Sequence, residues 1–268
     1  MIGIIGYGVV GKAIGNTLSK KYTINIFDKY LNYNDIGPIF DSKFVFLSVP
    51  TPFDCNLNKV DDSAIQENLE ILLDNSYEGI VIIKSTIPVG ATDKYLEKYK
   101  LKLIFNPEFL RESTTPNEDF EKQETVVIGT NSKKLFQETK EMYEQVLLNE
   151  TRYYQTSAIE AEMIKCGQNT MLASRVALAN MIYDACQIHE IDYDKVKKIA
   201  FDSFEILGPH MVKVPGPDGK RGFGGKCLPK DIRAFSSIYN SELLDAIINY
   251  NDSLREDLDR FLVNFIKK

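Results

Sequence analysis

The sequence predicts an α/β fold in which a doubly wound sheet is followed by an all-helical domain. In the first half, short β-rich runs alternate with segments of helical length, a pattern typical of strands joined by helical crossovers. The apolar runs, such as residues 80–83, suit strands that are covered on both faces. The second half is helical in pattern, and a chain of 268 residues is long enough for about two domains. We expect these domains at residues 1–156 and 157–268.

Seven strands are predicted in the first domain. Their connections have the helical length that a parallel crossover needs, which predicts parallel pairing. Amphipathic patterns at residues 62–73 and 132–146 predict two of the connecting helices. The strands are expected at residues 1–5, 22–27, 44–49, 80–84, 101–105, 125–128 and 151–155.

The second domain is predicted to contain two long helices separated by a loop. Residues 157–188 form one helical pattern without proline, and its lone glycine, Gly167, costs about 1 kcal/mol relative to alanine. Residues 206–225 carry three prolines and six glycines, which marks a loop of the length that is usually functional or disordered. Residues 241–265 give the second helical pattern.

Composition and charge exclude several classes of protein. With 32 basic and 38 acidic residues the net charge is −6, which argues against a general nucleic-acid binder. We expect neither a membrane span nor a signal peptide, because no apolar run approaches about 20 residues and the first residues lack a basic segment. The four cysteines lie far apart without the spacing of a metal site, so we expect no metal and a cytoplasmic protein with reduced thiols.

A glycine motif at the start of the chain predicts a dinucleotide site. The motif Gly6-Tyr7-Gly8-Val9-Val10-Gly11 follows the first strand and opens a helix, and Asp28 ends the second strand. Such glycines permit a tight turn and a close backbone approach, and the helix N-terminus favours a pyrophosphate. A carboxylate at Asp28 would accept hydrogen bonds from ribose hydroxyls and repel a 2′-phosphate. This context predicts a Rossmann-like domain that binds NAD rather than NADP, and the alternative is a plain packing turn.

Three further strand ends carry short polar motifs. They begin at Ser48, Lys84 and Asn106. Ligands of open α/β sheets bind beyond the carboxyl ends of the strands, so we expect the three motifs at one edge of the sheet.

The segment Gly222-Phe223-Gly224-Gly225-Lys226-Cys227-Leu228-Pro229-Lys230-Asp231 predicts a reactive thiol. Proline suits the first turn of a helix, which puts Cys227 at or just before a helix start. Amides and lysines there would stabilise a thiolate. Asp231 is four residues further on and therefore on the same helical face. The alternative interpretation is that Cys227 is a small buried apolar residue.

Together these motifs resemble the UDP-glucose/GDP-mannose dehydrogenase family over almost the whole chain. The resemblance is carried by the glycine motif, by Lys-Ser-Thr-Ile-Pro-Val-Gly at residues 84–90, by Asn-Pro-Glu-Phe-Leu-Arg-Glu at residues 106–112, by residues 160–169 and by the cysteine segment. It implies an NAD-dependent enzyme that oxidises the C6 alcohol of a UDP-sugar, with UDP-glucose expected, to a carboxylate. The implied route has two hydride transfers and passes through a thiohemiacetal and a thioester on the cysteine.

The resemblance also implies roles for individual residues. Cys227 would be the nucleophile, and Lys165 and Asn169, which share a helical face, would hold the oxygen that becomes negative. Glu112, through a water with Thr86, would be the base, and Asp231 would position water or keep Lys165 charged. The implied cofactor-binding residues are Gly6, Gly8, Val9, Val10, Gly11, Asp28, Thr51, Thr86, Glu112 and Lys230. The implied substrate-binding residues are Glu108, Phe109, Leu110, Arg111, Lys165, Asn169, Phe223 and Gly224.

Several alternatives stay open at this stage. Lys165 could instead be a solvated helix charge paired with Glu160 or Glu162. Relatives continue into a third domain that holds the UDP end, so the end at residue 268 predicts a short form or a fragment. In a short form, Lys220 and Arg221 in the loop 215–221 would bind the diphosphate, unless that loop is a mobile lid.

Rival functions are also open. They are a dehydrogenase for UDP-N-acetylmannosamine or GDP-mannose, a two-electron hydroxyacid dehydrogenase, and a non-catalytic dimer that binds sugar nucleotides. A homodimer is expected through the helix at residues 157–188 and the helix after residue 241, because the resemblance implies it and because both helices are too long to bury their faces on a small domain.

Overall fold

The computed structural model describes residues 1–110, 115–208, 210–239 and 241–255. The chain divides into two compact units, of which the first comprises Met1–Thr51 and Asp61–Lys165 and the second comprises Pro52–Val60 and Cys166–Lys268. The division falls within one long helix. The domain boundary expected at residue 156 therefore stays a prediction.

The predicted α/β architecture is confirmed, with a seven-stranded sheet in the first unit and mostly helices in the second. In the described residues the strands are β1 (Ile2–Ile5), β2 (Ile24–Phe27), β3 (Phe44–Leu47), β4 (Phe53–Asp54), β5 (Lys59–Val60), β6 (Ile80–Ile83), β7 (Lys102–Phe105), β8 (Thr125–Gly129) and β9 (Arg152–Thr156). The large sheet has the order β2-β1-β3-β6-β7-β8-β9. The chain leaves β1 to one side for β2 and returns on its other side as β3, so the glycine motif after β1 lies at a topological switch point.

The expectation of parallel pairing is wrong at one position. The pairs from β2 to β7 in this order are parallel, and β8 pairs with β9 in parallel, but β8 runs antiparallel to β7 through Phe105 and Gly129. A parallel pair requires a long crossover, but a long connection does not require a parallel pair. Antiparallel strands on an otherwise parallel sheet are common.

Helices cover both faces of the sheet, as a doubly wound fold requires. The α-helices of the described residues are α1 (Val9–Leu18), α2 (Ser63–Asp74), α3 (Ala91–Tyr99), α4 (Pro116–Glu121), α5 (Lys133–Glu144), α6 (Ala158–Ile188), α7 (Tyr193–Lys197), α8 (Leu228–Ile238) and α9 (Glu242–Ser253), and a 3₁₀-helix at Gly37–Ile39 and a π-helix at Lys198–Asp202 complete the helical segments. Side chains alternate along each strand, so the strands contribute to two cores. One core packs against α2 and α3, and the other packs against α1, α4 and α5.

The second unit contains the remainder of α6 with α7, α8 and α9. Phe223 and Ile232 pack in one apolar cluster with α6 and α9, and Tyr193 packs in another with Val212 and Val214. The second unit also contains the hairpin β4–β5, which was not predicted from the sequence and which packs on Ala234 of α8. Two-residue strands are too short to show a period in the sequence.

The last predicted helix begins at the expected place and ends early. It covers Glu242–Ser253 instead of residues 241–265, and residues 256–265 of the prediction lie outside the described residues. In the described part of the chain, no helix combines the length and apolarity that crossing a membrane requires.

Candidate active site

The glycine motif forms the turn that a dinucleotide site needs. Gly6 has φ +88°, and a Cβ there would lie 2.8 Å from the backbone of Ser48. A Cβ at Gly11 would lie 2.1 Å from the carbonyl oxygen of Gly6, so only glycine lets α1 pack this closely on the turn. A Cβ at Gly8 would contact nothing within 4 Å. Gly8 is therefore the one glycine of the motif with free space beside its Cα atom.

The N-terminus of α1 is suited to an anion. Gly8 is its N-cap and supplies no capping side chain, and the first turn, which includes Val9 and Val10, carries no acidic residue. The first amides of a helix point away from its body and carry partial positive charge. These amides fit the pyrophosphate of NAD.

Asp28 lies beside this turn, directly after β2. One carboxylate oxygen accepts the backbone N–H of Tyr7 at 2.7 Å, and the other accepts that of Tyr30 at 2.9 Å. Each oxygen of a carboxylate can accept a second hydrogen bond. Asp28 therefore holds the glycine turn and keeps acceptor capacity for the ribose hydroxyls of NAD.

The polar motifs after β3, β6 and β7 lie at one edge of the sheet, as predicted. The hydroxyl of Thr51 donates to the carbonyl oxygen of Thr86 at 2.6 Å, and that of Ser48 donates to Gly6 at 2.7 Å. Because neighbouring strands are parallel and in register, their carboxyl ends coincide. Thr51 and Thr86, both predicted as cofactor residues, are thus brought together.

A buried ion pair lies at the same edge. The Lys84 side chain is 1% exposed and that of Glu108 is 8% exposed, and the Lys84 ammonium lies 2.9 Å from Oε2 of Glu108. The other carboxylate oxygen of Glu108 accepts the amides of Phe109 and Leu110 at 2.9 and 3.2 Å. Burial lowers the pKa of Lys84, while the charge of Glu108 opposes this and that of Lys165 adds to it.

Lys165 is buried, and its ammonium donates a hydrogen bond to the main-chain oxygen of Glu108. It also lies 5.3 Å from the centre of the Phe109 ring. The interpretation of Lys165 as a solvated charge paired with Glu160 or Glu162 is therefore wrong. Both carboxylates bond elsewhere, Glu160 to Ser157 and Glu162 to the start of α3.

Glu162 ties α6 to the N-terminus of α3. Its side chain is almost fully buried and accepts the backbone N–H groups of Gly90 at 2.5 Å and Thr92 at 2.9 Å, together with the Thr92 hydroxyl at 2.6 Å. Burial raises the pKa of Glu162, and the hydrogen bonds from Thr92 and Gly90 oppose that rise. Glu162 lies one helical turn before Lys165 on α6. It therefore holds Gly90, the last residue of the Lys84 motif, near Lys165.

In the second unit, Cys227 is exposed and is the N-cap residue of α8. The interpretation of this cysteine as a buried apolar residue is therefore wrong. Pro229 lies in the first turn of the helix, as predicted. Cys227 therefore lies next to the first amides of α8, which carry partial positive charge.

A buried polar pair lies in the same unit as Cys227. Asn169 on α6 donates its side-chain N–H to Asp231 Oδ2 on α8, and both side chains are buried. The ammonium of Lys230 lies 3.1 Å from Oδ1 of Asp231, and the Asp231 amide donates to the Cys227 carbonyl oxygen at 2.8 Å. Asn169, Lys230 and Asp231 therefore form one connected group with the cysteine turn.

Two buried asparagines position the glycine-rich approach to Cys227. The amide of Gly222 donates to Asn180 at 3.1 Å, and that of Phe223 donates to Asn251 at 2.6 Å. Gly222 has φ +73°, a conformation that favours glycine. Phe223 is buried. A Cβ at Gly224 would lie 2.3 Å from the Arg255 guanidinium, so glycine at this position leaves space for that side chain.

The loop at residues 215–221 is held by ion pairs. The Arg221 guanidinium pairs with Asp184 and lies 5.1 Å from the centre of the Tyr183 ring. Asp218 accepts from Arg255 at 2.7 Å and from the Lys220 amide at 3.1 Å. Arg221, which was expected to bind a diphosphate together with Lys220, therefore already has a carboxylate partner.

Some of these residues were missed by sequence reasoning, and two predicted ones cannot be described. Arg111 and Glu112 lie outside the described residues. Lys84 and Glu162 were not predicted as site residues, although a lysine after four apolar strand residues was a visible signal. Asn180 and Asn251 gave no signal, because each lies in a helix far from the glycines in sequence. No cluster of possible metal ligands occurs among the described side chains.

Comparison with protein-family models matches both units. Residues 16–147 match the NAD-binding domain of the UDP-glucose/GDP-mannose dehydrogenase family, and residues 159–253 match its central domain. The UDP-glucose 6-dehydrogenase of Rickettsia bellii is 31% identical over 223 residues, which is 79% of this chain and 49% of that protein. The chain therefore spans about half the length of this relative.

Solved structures share the fold. A UDP-glucose dehydrogenase from Pyrobaculum islandicum superposes with a TM-score of 0.80 at 19% identity, covering 99% of this chain and 71% of the other. A 3-hydroxyisobutyrate dehydrogenase from Mycobacterium tuberculosis gives 0.72 at 12% identity, covering 100% of this chain and 99% of the other. At these identities the likeness shows the fold alone.

Proposed function

Because this chain belongs to the UDP-glucose/GDP-mannose dehydrogenase family, we propose that it oxidises the C6 alcohol of a UDP-sugar to a carboxylate, with UDP-glucose as the substrate. Its first unit contains the NAD-binding domain of the family. The observation that supports the proposal most directly is Cys227, an exposed thiol at the start of α8. A thiol in this position suits attack on an aldehyde.

The proposed chemistry divides between NAD and the side chains of the chain. When bound at the glycine turn, NAD⁺ would supply the hydride acceptor for each of two oxidation steps. The Cys227 thiolate attacks the aldehyde carbon to form a thiohemiacetal, and oxidation of that adduct leaves a thioester for water to hydrolyse. Asn169 and the Lys165 ammonium hold the oxygen that becomes negative, a type of contact that strengthens as charge develops.

The proposed base for this chemistry is Glu112, acting through a water with Thr86. Glu108, Phe109, Leu110 and Arg111 are proposed to contact the sugar, with Phe223 and Gly224. Asp231, which accepts from Asn169, is proposed to orient that amide. The proposed partners of the diphosphate are Lys220 and Arg221, and Arg221 would have to exchange its Asp184 partner for phosphate oxygens.

The number of NADH molecules released per sugar tests the proposal. Purified protein with NAD⁺ and limiting UDP-glucose should release two NADH per sugar. UDP-N-acetylmannosamine and GDP-mannose should be assayed alongside, because faster release with either of them would reassign the sugar. Binding of sugar nucleotides in calorimetry without any NADH release would indicate the non-catalytic dimer.

A two-electron hydroxyacid dehydrogenase is the second candidate function. It stays a candidate because a 3-hydroxyisobutyrate dehydrogenase from Mycobacterium tuberculosis shares the fold of this chain. Such an oxidation forms no thioester and needs no thiol. Release of one NADH per hydroxyacid, unchanged by alkylation of Cys227, would select this function.

We also propose a homodimer that forms through α6. Met171, Leu178, Met181 and Ile188 are 72%, 52%, 53% and 78% exposed on this helix. Their spacing of seven and three residues follows the seam of a helix pair. Leu178→Lys should halve the mass measured by light scattering at micromolar protein, whereas Leu148→Lys, at a residue of the first unit that is 50% exposed, should not. A monomeric wild-type protein would contradict the proposal.

The proposed location is the cytoplasm. All four cysteines belong to the part of the chain that the structure describes, and none of them forms a disulfide there. Reduced thiols are usual in a reducing compartment. Recovery of the protein in an oxidising compartment after cell fractionation would contradict this location.

A further inference from the structure

Lys84 is a buried cation whose contacts with oxygen atoms lie in one short segment of the chain, and its ammonium also lies 5.5 Å from the centre of the Phe120 ring. It follows β6 directly, and its ammonium lies 2.9 Å from Oε2 of Glu108, 3.1 Å from Oδ1 of Asn106 and 3.4 Å from the carbonyl oxygen of Pro107. The register of β6 with β7 pairs Ile83 with Phe105, so Lys84 lies beside Asn106. One cation therefore holds residues 106–108 from the neighbouring strand.

The segment that Lys84 holds is the one to which Lys165 bonds. Oε1 of Glu108 accepts the amides of Phe109 and Leu110, and Oε2 faces Lys84. The main-chain oxygen of the same residue accepts the Lys165 ammonium. Glu108 therefore contacts Lys84 through its carboxylate and Lys165 through its main-chain oxygen.

A packing role alone gives no reason for a lysine at this position. The preceding strand is Ile-Val-Ile-Ile and is fully buried, and an apolar side chain would continue it without the desolvation of a charge. Breaking a buried pair is strongly destabilising, whereas replacing both partners is often neutral or stabilising. The lowered pKa of Lys84, caused by burial, agrees with a charge that does not serve stability.

We propose that Lys84 is a positioning residue for Lys165. By holding the Glu108 carboxylate it fixes the Glu108 main-chain oxygen, which in turn orients the Lys165 ammonium. The inference rests on the proposed function, in which Lys165 holds the reacting oxygen. Lys84 does not itself contact the sugar in this scheme.

The test compares Lys84→Met with Tyr77→Phe and Glu108→Gln. Tyr77 is buried in the same unit and donates to the carbonyl oxygen of Ser42 at 2.9 Å, so its loss removes a buried contact elsewhere. Displacement of a reacting group by about 1 Å can cost about 10²-fold in rate. Lys84→Met should therefore lower kcat about 10- to 100-fold with an unchanged KM for NAD⁺, and Tyr77→Phe should leave both constants unchanged.

A double variant distinguishes a shared role from independent ones. If Lys84 acts through Glu108, Lys84→Met/Glu108→Gln should lose no more kcat than the worse single variant. Multiplying losses would overturn the proposal, as would a wild-type kcat in folded Lys84→Met. If Lys84→Met does not fold, Glu108→Gln breaks the same contact from its other side, and an unchanged kcat there would overturn the proposal.

Hydrogen exchange gives a result that does not depend on activity. In Lys84→Met the amides of Phe109 and Leu110 should exchange faster than in wild-type protein, because the carboxylate that accepts them is no longer held. Tyr77→Phe should leave these amides unchanged. Unchanged exchange in Lys84→Met would overturn the proposal even in an inactive protein, whereas inactivity of wild-type protein with every sugar nucleotide would count against the proposed function alone.

Discussion

The two units treat their functional side chains in opposite ways. The functional side chains of the first unit are buried. Lys84 pairs with Glu108, and Glu162 accepts backbone amides at the start of α3. In the second unit, the Cys227 thiol is exposed and only its supports, Asn169 and Asp231, are buried. Under the proposed function, the buried side chains of the first unit hold geometry and the second unit exposes the thiol that reacts. Replacement of Glu162 in the first unit should therefore chiefly reduce stability, and replacement of the exposed thiol should reduce chemistry alone.

The largest effect is expected for Cys227→Ala. Loss of the nucleophile should lower NADH release from UDP-glucose by more than about 10³-fold, because the covalent adduct cannot form. The melting temperature should stay within about 2 °C of wild-type, since the thiol is exposed. Stopped-flow absorbance and thermal scans measure the two quantities.

The matched control for this prediction is Cys55→Ala. Cys55 is also exposed and belongs to the same unit, but it has no role in the proposed chemistry. Its replacement should leave NADH release unchanged. Normal turnover by Cys227→Ala would contradict the covalent mechanism.

Asn169→Ala should have the second largest effect, because it removes a donor to the developing charge and the partner of Asp231. The rate loss expected for one such donor is about 10²–10³-fold, or roughly 2.7–4 kcal/mol. Unlike Cys227→Ala, this variant should also lose stability, since a buried carboxylate is left without its donor. Equal stability of the two variants in urea titrations would contradict the structural role of the buried Asn169.

Glu162→Ala should chiefly affect stability. It leaves the donors of Gly90 and Thr92 without their buried acceptor, at a cost of about 2–3 kcal/mol. Glu160→Ala is the control on the same helix, because Glu160 is exposed and only closes a capping contact with Ser157. A smaller loss of unfolding free energy in Glu162→Ala than in Glu160→Ala would contradict the assignment.

The pH dependence of these two variants should have opposite signs. The folded pKa of Glu162 is raised by burial above 4.5, so its stabilising contribution is greatest at acid pH and declines as pH rises from about 4.5 through the raised value. The folded pKa of Glu160 is lowered below 4.5 by its hydrogen bonds to Ser157, so its contribution is present above about 4.5 and is lost as pH falls. Urea titrations across pH 3–8 would measure both differences.

The smallest effect is expected for Asp28→Asn. An amide oxygen can still accept the Tyr7 amide, so the glycine turn should persist, but the repulsion of a 2′-phosphate is removed. The preference for NAD⁺ over NADP⁺ in kcat/KM should fall about tenfold, or roughly 1.4 kcal/mol. An unchanged preference would show that Asp28 acts only on the turn.

Much of the fold was predictable because it depends on local patterns. Each of the seven predicted strands of the large sheet begins and ends within two residues of the observed strand. Apolar runs and helical periods are properties of neighbouring residues, so they can be recognised in one sequence. The antiparallel pairing of β8 with β7 could not be recognised, because it joins residues far apart in the chain. The hairpin β4–β5 could not be recognised because its two-residue strands are too short to show a period.

The candidate site was predictable only where its residues form motifs. The Cys227 turn and the Gly6 turn have fixed spacings that follow from backbone geometry. The pair of Asn169 with Asp231 joins residues on two helices, and the bond of Glu162 to Thr92 joins α6 to α3. Neither contact can be inferred from the spacing of the residues along the chain.

The sequence alone determined which residue types were available, where the strands and helices begin, and that a cysteine would stand at a helix start. Those properties follow from steric and hydrogen-bonding preferences that act over a few residues. Only the tertiary structure decided that Lys165 donates to Glu108 and that Lys84 is a buried cation. A charge stays buried only where oxygen atoms from other segments surround it, and the folded chain alone brings those segments together.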